Sequence, residues 1–246
     1  MNRLEYALYS TRCHTLSGFA MIPFTIDCRP PFLVASFFEP HEMLSWSLTH
    51  PGKSIAREVA WIEVRNADLT VNTDPVALVK EKIAAEGLED AIALMTSRNI
   101  TRYHTAQSVV ESDIATCLTT VGLSNGERVG MRIAEPVRLP GTINTLVHVA
   151  RPLSEAAFLE TLSIATQART AAIIDAHVQR AGVEVTGTGT DCIVIAAPRG
   201  EHRAPFAGLH TTLGEAVGKA VYTATAEGIK TWREDFDALA ASAANR

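Results

Sequence analysis

Thr186-Gly187-Thr188-Gly189-Thr190-Asp191-Cys192 alternates hydroxyl and glycine, then a carboxylate and a thiol, and runs straight into Ile193-Val194-Ile195-Ala196-Ala197-Pro198. The second half is short, apolar and rich in β-branched residues, which reads as a buried strand. The first half is then a polar loop at the mouth of that strand. Glycine tolerates backbone angles that other residues resist, so several N–H groups of this loop can converge on one anion or carbonyl oxygen.

The remainder of the chain has to bury such a strand. Its 246 residues are 47% hydrophobic and 20% charged, enough for one large domain with a substantial core. Strand patterns fall at Phe32–Phe38, Met43–Thr49, Ala60–Val64, Ala91–Thr96, Asp113–Leu123 and Gly141–Val149, the last beginning just after Pro140. Arg29-Pro30-Pro31 is a break, and His50-Pro51-Gly52-Lys53 and Ser124-Asn125-Gly126 are turns. Pro75–Glu86 has helical spacing, with Asp74 as cap and Gly87 as stop. The longest helix starts near Ser154 and runs over about 154–181, to Gly182. Thr212-Leu213-Gly214-Glu215 matches a capping box for a helix that Gly228 stops, and Trp232, Phe236, Leu239 and Ala243 space a last one. With no repeat or linker, the expectation is one α+β domain over residues 1–246. It has a mixed or largely antiparallel sheet, with the long helix and two C-terminal helices packed on it.

The long helix sorts its residues by face. Phe158, Leu162, Ala165, Ala172 and Ala176 share the core stripe, while Glu160, Ser163, Thr166, Gln167 and Thr170 lie opposite. That second stripe is polar yet mostly uncharged, which fits either a solvated face or a binding one. Arg169 falls within the apolar sector. An unpaired buried charge is expensive, so its guanidinium needs a carboxylate partner or must reach outward.

Several function classes are disfavoured. The net charge of −5 and the lack of a Lys/Arg run argue against nucleic acid. No apolar segment approaches the ~18 residues of a membrane span. Arg3, Glu5, Arg12 and His14 interrupt Met1–Ala20, so no signal peptide is read there. Cys13, Cys28, Cys117 and Cys192 lack CxxC spacing, which points to free thiols in the cytoplasm and away from a cysteine zinc site. Gly187-Thr188-Gly189 lacks a third glycine and precedes its strand, unlike a dinucleotide loop. There is no Walker loop, HExxH or GxSxG. Neither a metal nor a cofactor is expected; association of identical copies is left open.

What remains is a set of hydroxyl, amide and carboxylate residues at strand ends and helix starts: Thr120, Ser124, Asn125, Thr142, Asn144, Thr188, Thr190, Asp191 and His210, joined by Glu160 and the helix stripe. Asp191 can act in catalysis or simply tie the glycine loop through backbone N–H groups. His210 can cap, pack or serve as a base. Glu215 reads as a capping residue and Cys192 as a buried, inert thiol.

Four blocks in order carry a resemblance: Thr116–Asn125, Gly141–Asn144, Ala165–Ala171 with its helix, and Thr186–Cys192 continuing through Ala207–Glu215. Together they resemble the adenosylcobinamide amidohydrolases, the CbiZ family, over about Phe32 to Trp232. The family pattern is acidic where Gln167 stands and Lys where Arg169 stands. The resemblance implies cleavage of the amide joining aminopropanol to a propionyl arm of the corrin ring, giving adenosylcobyric acid for cobalamin synthesis. The corrinoid is then substrate and not cofactor. Amide hydrolysis needs oxyanion donors, assigned to the N–H groups of Gly187 to Thr190. It also needs a base, Asp191 or His210, acting on water or on the hydroxyl of Thr188 or Thr190. Gly187, Gly189, Asn125, Asn144, Thr120, Glu160, Thr166 and Gln167 would bind the substrate, and Trp46, Trp61 or Trp232 would flank the ring. The alternatives are a non-catalytic corrinoid-binding protein and a self-processing N-terminal-nucleophile hydrolase.

Overall fold

The computed structural model describes residues 22–65, 68–69, 73–134 and 141–244. The readings placed on Met1–Ala20, Cys13 and Pro140 lie outside them, as do the side chains of Leu239 and Ala243. The chain runs through β1 (Phe24–Arg29), β2 (Phe32–Ser45), β3 (Gly52–Glu63), α1 (Pro75–Ala85), β4 (Ile92–Thr96), β5 (Tyr103–Val110), β6 (Asp113–Val121) and β7 (Gly126–Glu127). It continues through β8 (Ile143–Val149), α2 (Glu155–Asp175), β9 (Gln179–Arg180), β10 (Val183–Glu184), β11 (Gly187–Thr188), β12 (Cys192–Ala197) and α3 (Thr212–Ala244).

The main sheet has the order β4-β3-β2-β12-β8-β6-β5, with β1 paired to the first half of β2. β3/β4 and β8/β12 are parallel and the other pairs antiparallel, so the fold is α+β with a mixed sheet. The apolar run after the glycine loop is β12, in the middle of this sheet, and Ile193 to Ala197 are fully buried. One face, through Ile193 and Ile195, packs with Val147 and Cys117 under α2 and α3. The other, through Val194 and Ala196, meets Leu146, Leu118, Trp61 and Leu94. Burial on both faces explains why no polar residue interrupts the run.

That second core exists because the sheet curls. β4 and β5 are its two edges, yet only residues 97–102 connect them. Six inter-strand gaps of ~4.8 Å make a flat sheet ~29 Å across. The connection spans at most ~25 Å fully extended, and Ile100–Arg102 is coiled into a 3-10 turn. A flat sheet is therefore impossible, and the edges turn toward each other. The Asn144 side-chain amide in β8 accordingly donates to the Met95 carbonyl of β4 at 2.8 Å, four strands away in the order.

Several expected boundaries move. Strands over Phe32–Phe38 and Met43–Thr49 are one strand, β2, whose register with β3 slips between Ser36 and His41, so that Pro40 falls where it need donate no ladder bond. β5 is mostly half-buried, with Thr105 and Val109 exposed and Ser108 buried, so it carries no strong apolar signal and sequence reading passes over it. α2 keeps its Ser154 cap but ends at Asp175 and not near 181. Beyond it, β9 and β10 form a hairpin whose two turn residues, Ala181 and Gly182, both have positive φ, as a type I′ turn requires. Gly182 is a hairpin glycine, not a helix stop. The two expected C-terminal helices are one, α3. Gly228 does not end it; a Cβ there would lie 2.5 Å from Val121 Cγ2, so glycine lets α3 cross β6 closely. The cap of α3 is Thr211, whose hydroxyl accepts the Gly214 N–H at 2.9 Å, one residue before the expected box. Thr212 instead donates to Asp113 at 2.6 Å.

Candidate active site

The curl leaves a cleft of about 420 Å³ where the end of β4 meets the starts of β8 and β12. Trp46, Leu48, Val64, Leu69 and Met95 form its apolar wall. Thr96, Ser97, Asn125, Thr142, Asn144 and Thr190 supply hydroxyls and carboxamides, and Asp191 is the one carboxylate among the described lining residues. A largely apolar cavity with a few fixed polar groups is the usual form of a small-molecule site.

Asp191 organises this site. One carboxylate oxygen accepts the Ile143 N–H at 2.9 Å and the Thr188 hydroxyl. The other accepts the Thr188 N–H at 2.9 Å and lies 3.2 Å from Arg169 Nη1. Its backbone carbonyl accepts the Trp46 indole N–H at 2.7 Å. The side chains of Asp191 and Arg169 are 6% and 10% exposed. The carboxylate partner that Arg169 requires is therefore Asp191, reached from α2 across the end of the sheet. Gly187 makes room for this pair, since a Cβ there would lie 2.8 Å from Asp191 Oδ2. Thr190 hydrogen-bonds Thr142 hydroxyl to hydroxyl at 2.8 Å, which closes the loop onto the 141–144 segment. Cys192 is buried, and burial pushes its thiol up to about 12. It is an inert wall residue.

Asn144 is almost fully buried on the cleft floor, and Thr120 faces it in register from β6. The Thr120 hydroxyl and the buried Asn125 Oδ1 have no hydrogen-bond partner among the described residues. Such groups carry a desolvation penalty unless a ligand or water meets them. Gly189, Thr190, Asp191, Asn125 and Asn144 line one cleft, and Thr188 reaches it through its hydrogen bonds to Asp191.

His210 and the helix stripe do not join them. The Glu160 carboxylate accepts the Ala207 N–H at 2.5 Å, which fixes the loop leading to His210 at the start of α2. Nine residues separate Glu160 from Arg169, ~13 Å along a helix. Gln167 lines a separate groove between α2 and α3 with Leu209 and Glu215, and its amide bonds Ser163 at 3.1 Å. Thr166 bonds back to the Leu162 carbonyl of its own helix. Of the tryptophans, Trp46 is 45% exposed in the cleft wall, Trp61 is wholly buried, and Trp232 packs on Phe236 of α3. Sequence reading missed Thr96 and Ser97; their only signal is a pair of hydroxyls closing an apolar strand. Among the described residues no three His, Cys, Asp or Glu side chains are placed to share a metal ion.

A family model described as adenosylcobinamide amidohydrolase matches residues 21–236. The chain belongs to that family. The matched span holds the whole cleft as described, together with α2 and most of α3. Among curated members, the adenosylcobinamide amidohydrolase of Methanosarcina mazei is 26% identical over 166 residues, 63% of this chain and 75% of that protein. The adenosylcobinamide amidohydrolase of Halobacterium salinarum is 27% identical over 152 residues, 58% of this chain and 62% of that one. A crystal structure of the PH0078 protein from Pyrococcus horikoshii OT3 is similar at a TM-score of 0.45 and 10% identity, covering 87% of this chain and 81% of that chain. No helix among the described residues is long and apolar enough to cross a membrane.

Proposed function

We propose that this chain hydrolyses the aminopropanol amide of adenosylcobinamide, giving adenosylcobyric acid and free aminopropanol, and does so at the curled-sheet cleft. The observation that carries the reading is the Thr188–Asp191 hydrogen bond beside a cleft lined mainly by apolar and uncharged polar groups. A hydroxyl already donating to a buried carboxylate is the arrangement expected of a nucleophile or proton relay with its base. Water adds across the C–N bond: its oxygen ends on the carbonyl carbon and its proton on the leaving nitrogen. If a water bound to Thr188 attacks, Asp191 takes its proton and passes it to the leaving nitrogen. If Thr188 attacks, the C–N bond breaks to leave a Thr188 ester, and a water activated by Asp191 then hydrolyses that ester to free the Thr188 hydroxyl. The N–H groups of Gly189 and Thr190 serve the oxyanion, because that of Thr188 is committed to Asp191. Asn125 and Asn144 bind the amide-bearing arm, with Thr120 buried in register beside Asn144 and outside the cleft lining, and Trp46 flanks the corrin ring at the mouth. Carboxamides and hydroxyls suit a substrate decorated with amides, which has few charges to pair. A cytoplasmic setting belongs to the same reading, supported by Cys28, Cys117 and Cys192 as free thiols.

The test is chromatography of corrinoids after incubation with adenosylcobinamide. Wild-type protein is expected to form adenosylcobyric acid, with Thr188→Val and Asp191→Asn each at least about a hundredfold slower, the scale of losing a general base. Near wild-type rates in both variants would overturn the assignment. Tight binding without release of aminopropanol would leave a corrinoid-binding protein instead.

A further inference from the structure

The geometry points to Arg169 as the positioning residue of this site: it acts on the cleft from behind, through Asp191. This rests on the reading that the cleft is where the corrinoid reacts. Arg169 stands on the buried side of α2, is absent from the cleft lining, and meets Asp191 Oδ2 at 3.2 Å. Asp191 is the one acidic group found against it among the described residues. The same carboxylate holds Thr188 through its N–H and hydroxyl, and Ile143 through its N–H. The Asp191 carbonyl holds the Trp46 indole. One guanidinium nitrogen therefore pairs the charge of the carboxylate that holds the loop and the start of β8, in the residue whose backbone carbonyl holds the exposed tryptophan.

The contact runs through one terminal nitrogen, Nη1, while Nε has no hydrogen-bond partner among the described residues. A guanidinium held on the buried side of α2 still presents its charge from a fixed direction, whereas a lysine ammonium is a point charge on a mobile stem. Arginine also stays charged at any pH a folded protein tolerates, while lysine titrates near ~10.4. Removing one partner of a buried pair leaves the other charge uncompensated, so the carboxylate of Asp191 has reason to turn away from the loop.

Arg169→Gln and Arg169→Lys, in the full chain, test this with adenosylcobinamide as substrate. Arg169→Gln is expected to lower kcat at least tenfold, with a smaller rise in KM, while the folded state persists at assay temperature. Arg169→Lys is expected to recover part of that loss and to bring in an alkaline limb that the wild-type profile lacks, because its positioning cation can lose its proton. A packing role moves neither the kcat-to-KM split nor the alkaline limb. Should Arg169→Gln not fold, the Arg169→Lys profile decides alone. A folded variant with wild-type kcat and an unchanged profile overturns the assignment. Should wild-type protein release no aminopropanol, the functional reading fails separately, and acrylamide quenching of Trp46 emission, with Trp46→Phe as reference, decides the positioning role. Quenching is expected to increase in Arg169→Gln; equal quenching in the folded variant overturns it.

Discussion

A methyl group on Gly187 would lie 2.8 Å from Oδ2 of Asp191 and 3.6 Å from Nη2 of Arg169. Gly187 has no left-handed φ, so its requirement is spatial and not conformational. Gly187→Ala therefore pushes directly on the carboxylate. The expected result is a kcat lowered at least tenfold with a melting temperature within a few degrees of wild type, read by corrinoid turnover and thermal denaturation. A wild-type kcat would show that the carboxylate can shift without consequence.

Gly228 sets two effects against each other. Replacing a helix-interior glycine by alanine stabilises by ~1 kcal/mol. The added Cβ, however, sits 2.5 Å from Val121 Cγ2 and 3.0 Å from Val121 Cβ, and overpacking costs about 1–3 kcal/mol. Overlap should win: Gly228→Ala is expected to lower the denaturation midpoint, and to cost less in a Val121→Ala background, which removes the 2.5 Å contact and leaves only the 3.0 Å one. A double-mutant cycle in urea measures the coupling.

Acid should loosen the interior of the curl. His148 lies buried beside Phe37 and His41, and burial, reinforced by His41, pushes its pKa down to about 3. Burial also lowers His41. An unfolded histidine titrates near ~6.5. Between these values the unfolded chain holds the extra proton, so stability falls as pH drops through 6.5 and goes on falling toward 3. Each pH unit inside that window costs up to ~1.4 kcal/mol for His148. Urea midpoints between pH 7 and 4 should show this slope, and His148→Phe should flatten it by about one proton.

His210 distinguishes the cleft from the groove between α2 and α3. His210 is exposed and follows the loop that Glu160 anchors, away from Asp191. His210→Ala is expected to keep kcat within about threefold, the small effect typical of exposed positions outside a site. A hundredfold loss would move the chemistry to that groove.

Local chemistry made much of this readable in the sequence. The β-branched run of β12, the Asp74 and Ser154 caps and the hydroxyl–glycine loop each follow from a few adjacent residues. The misplaced boundaries have non-local causes. Gly228 looks like a stop until Val121 is known to lie against it, and Gly182 looks like a helix end until the hairpin turn is seen. The need of Arg169 for a carboxylate was legible from its place on an apolar stripe. That the carboxylate is Asp191, twenty-two positions on, depends on how α2 crosses the sheet end. Asp191 at the mouth of a strand and His210 before the start of a helix look alike in sequence, and the Glu160 tether on the loop before His210 separates them in space.

The connection over residues 97–102 behaves as a tether on the two sheet edges. In a tethered system, proximity is set by chain statistics, and each doubling of a flexible loop costs only ~0.6 kcal/mol. Lengthening this segment would thus weaken the curl gradually, whereas cutting it would release β4 from β5 altogether. Arg98 and Arg102, both paired with Asp235 of α3, act as a second clasp on the same segment. The width of the cleft mouth is in this sense a property of six residues, one of which, Ser97, lines it.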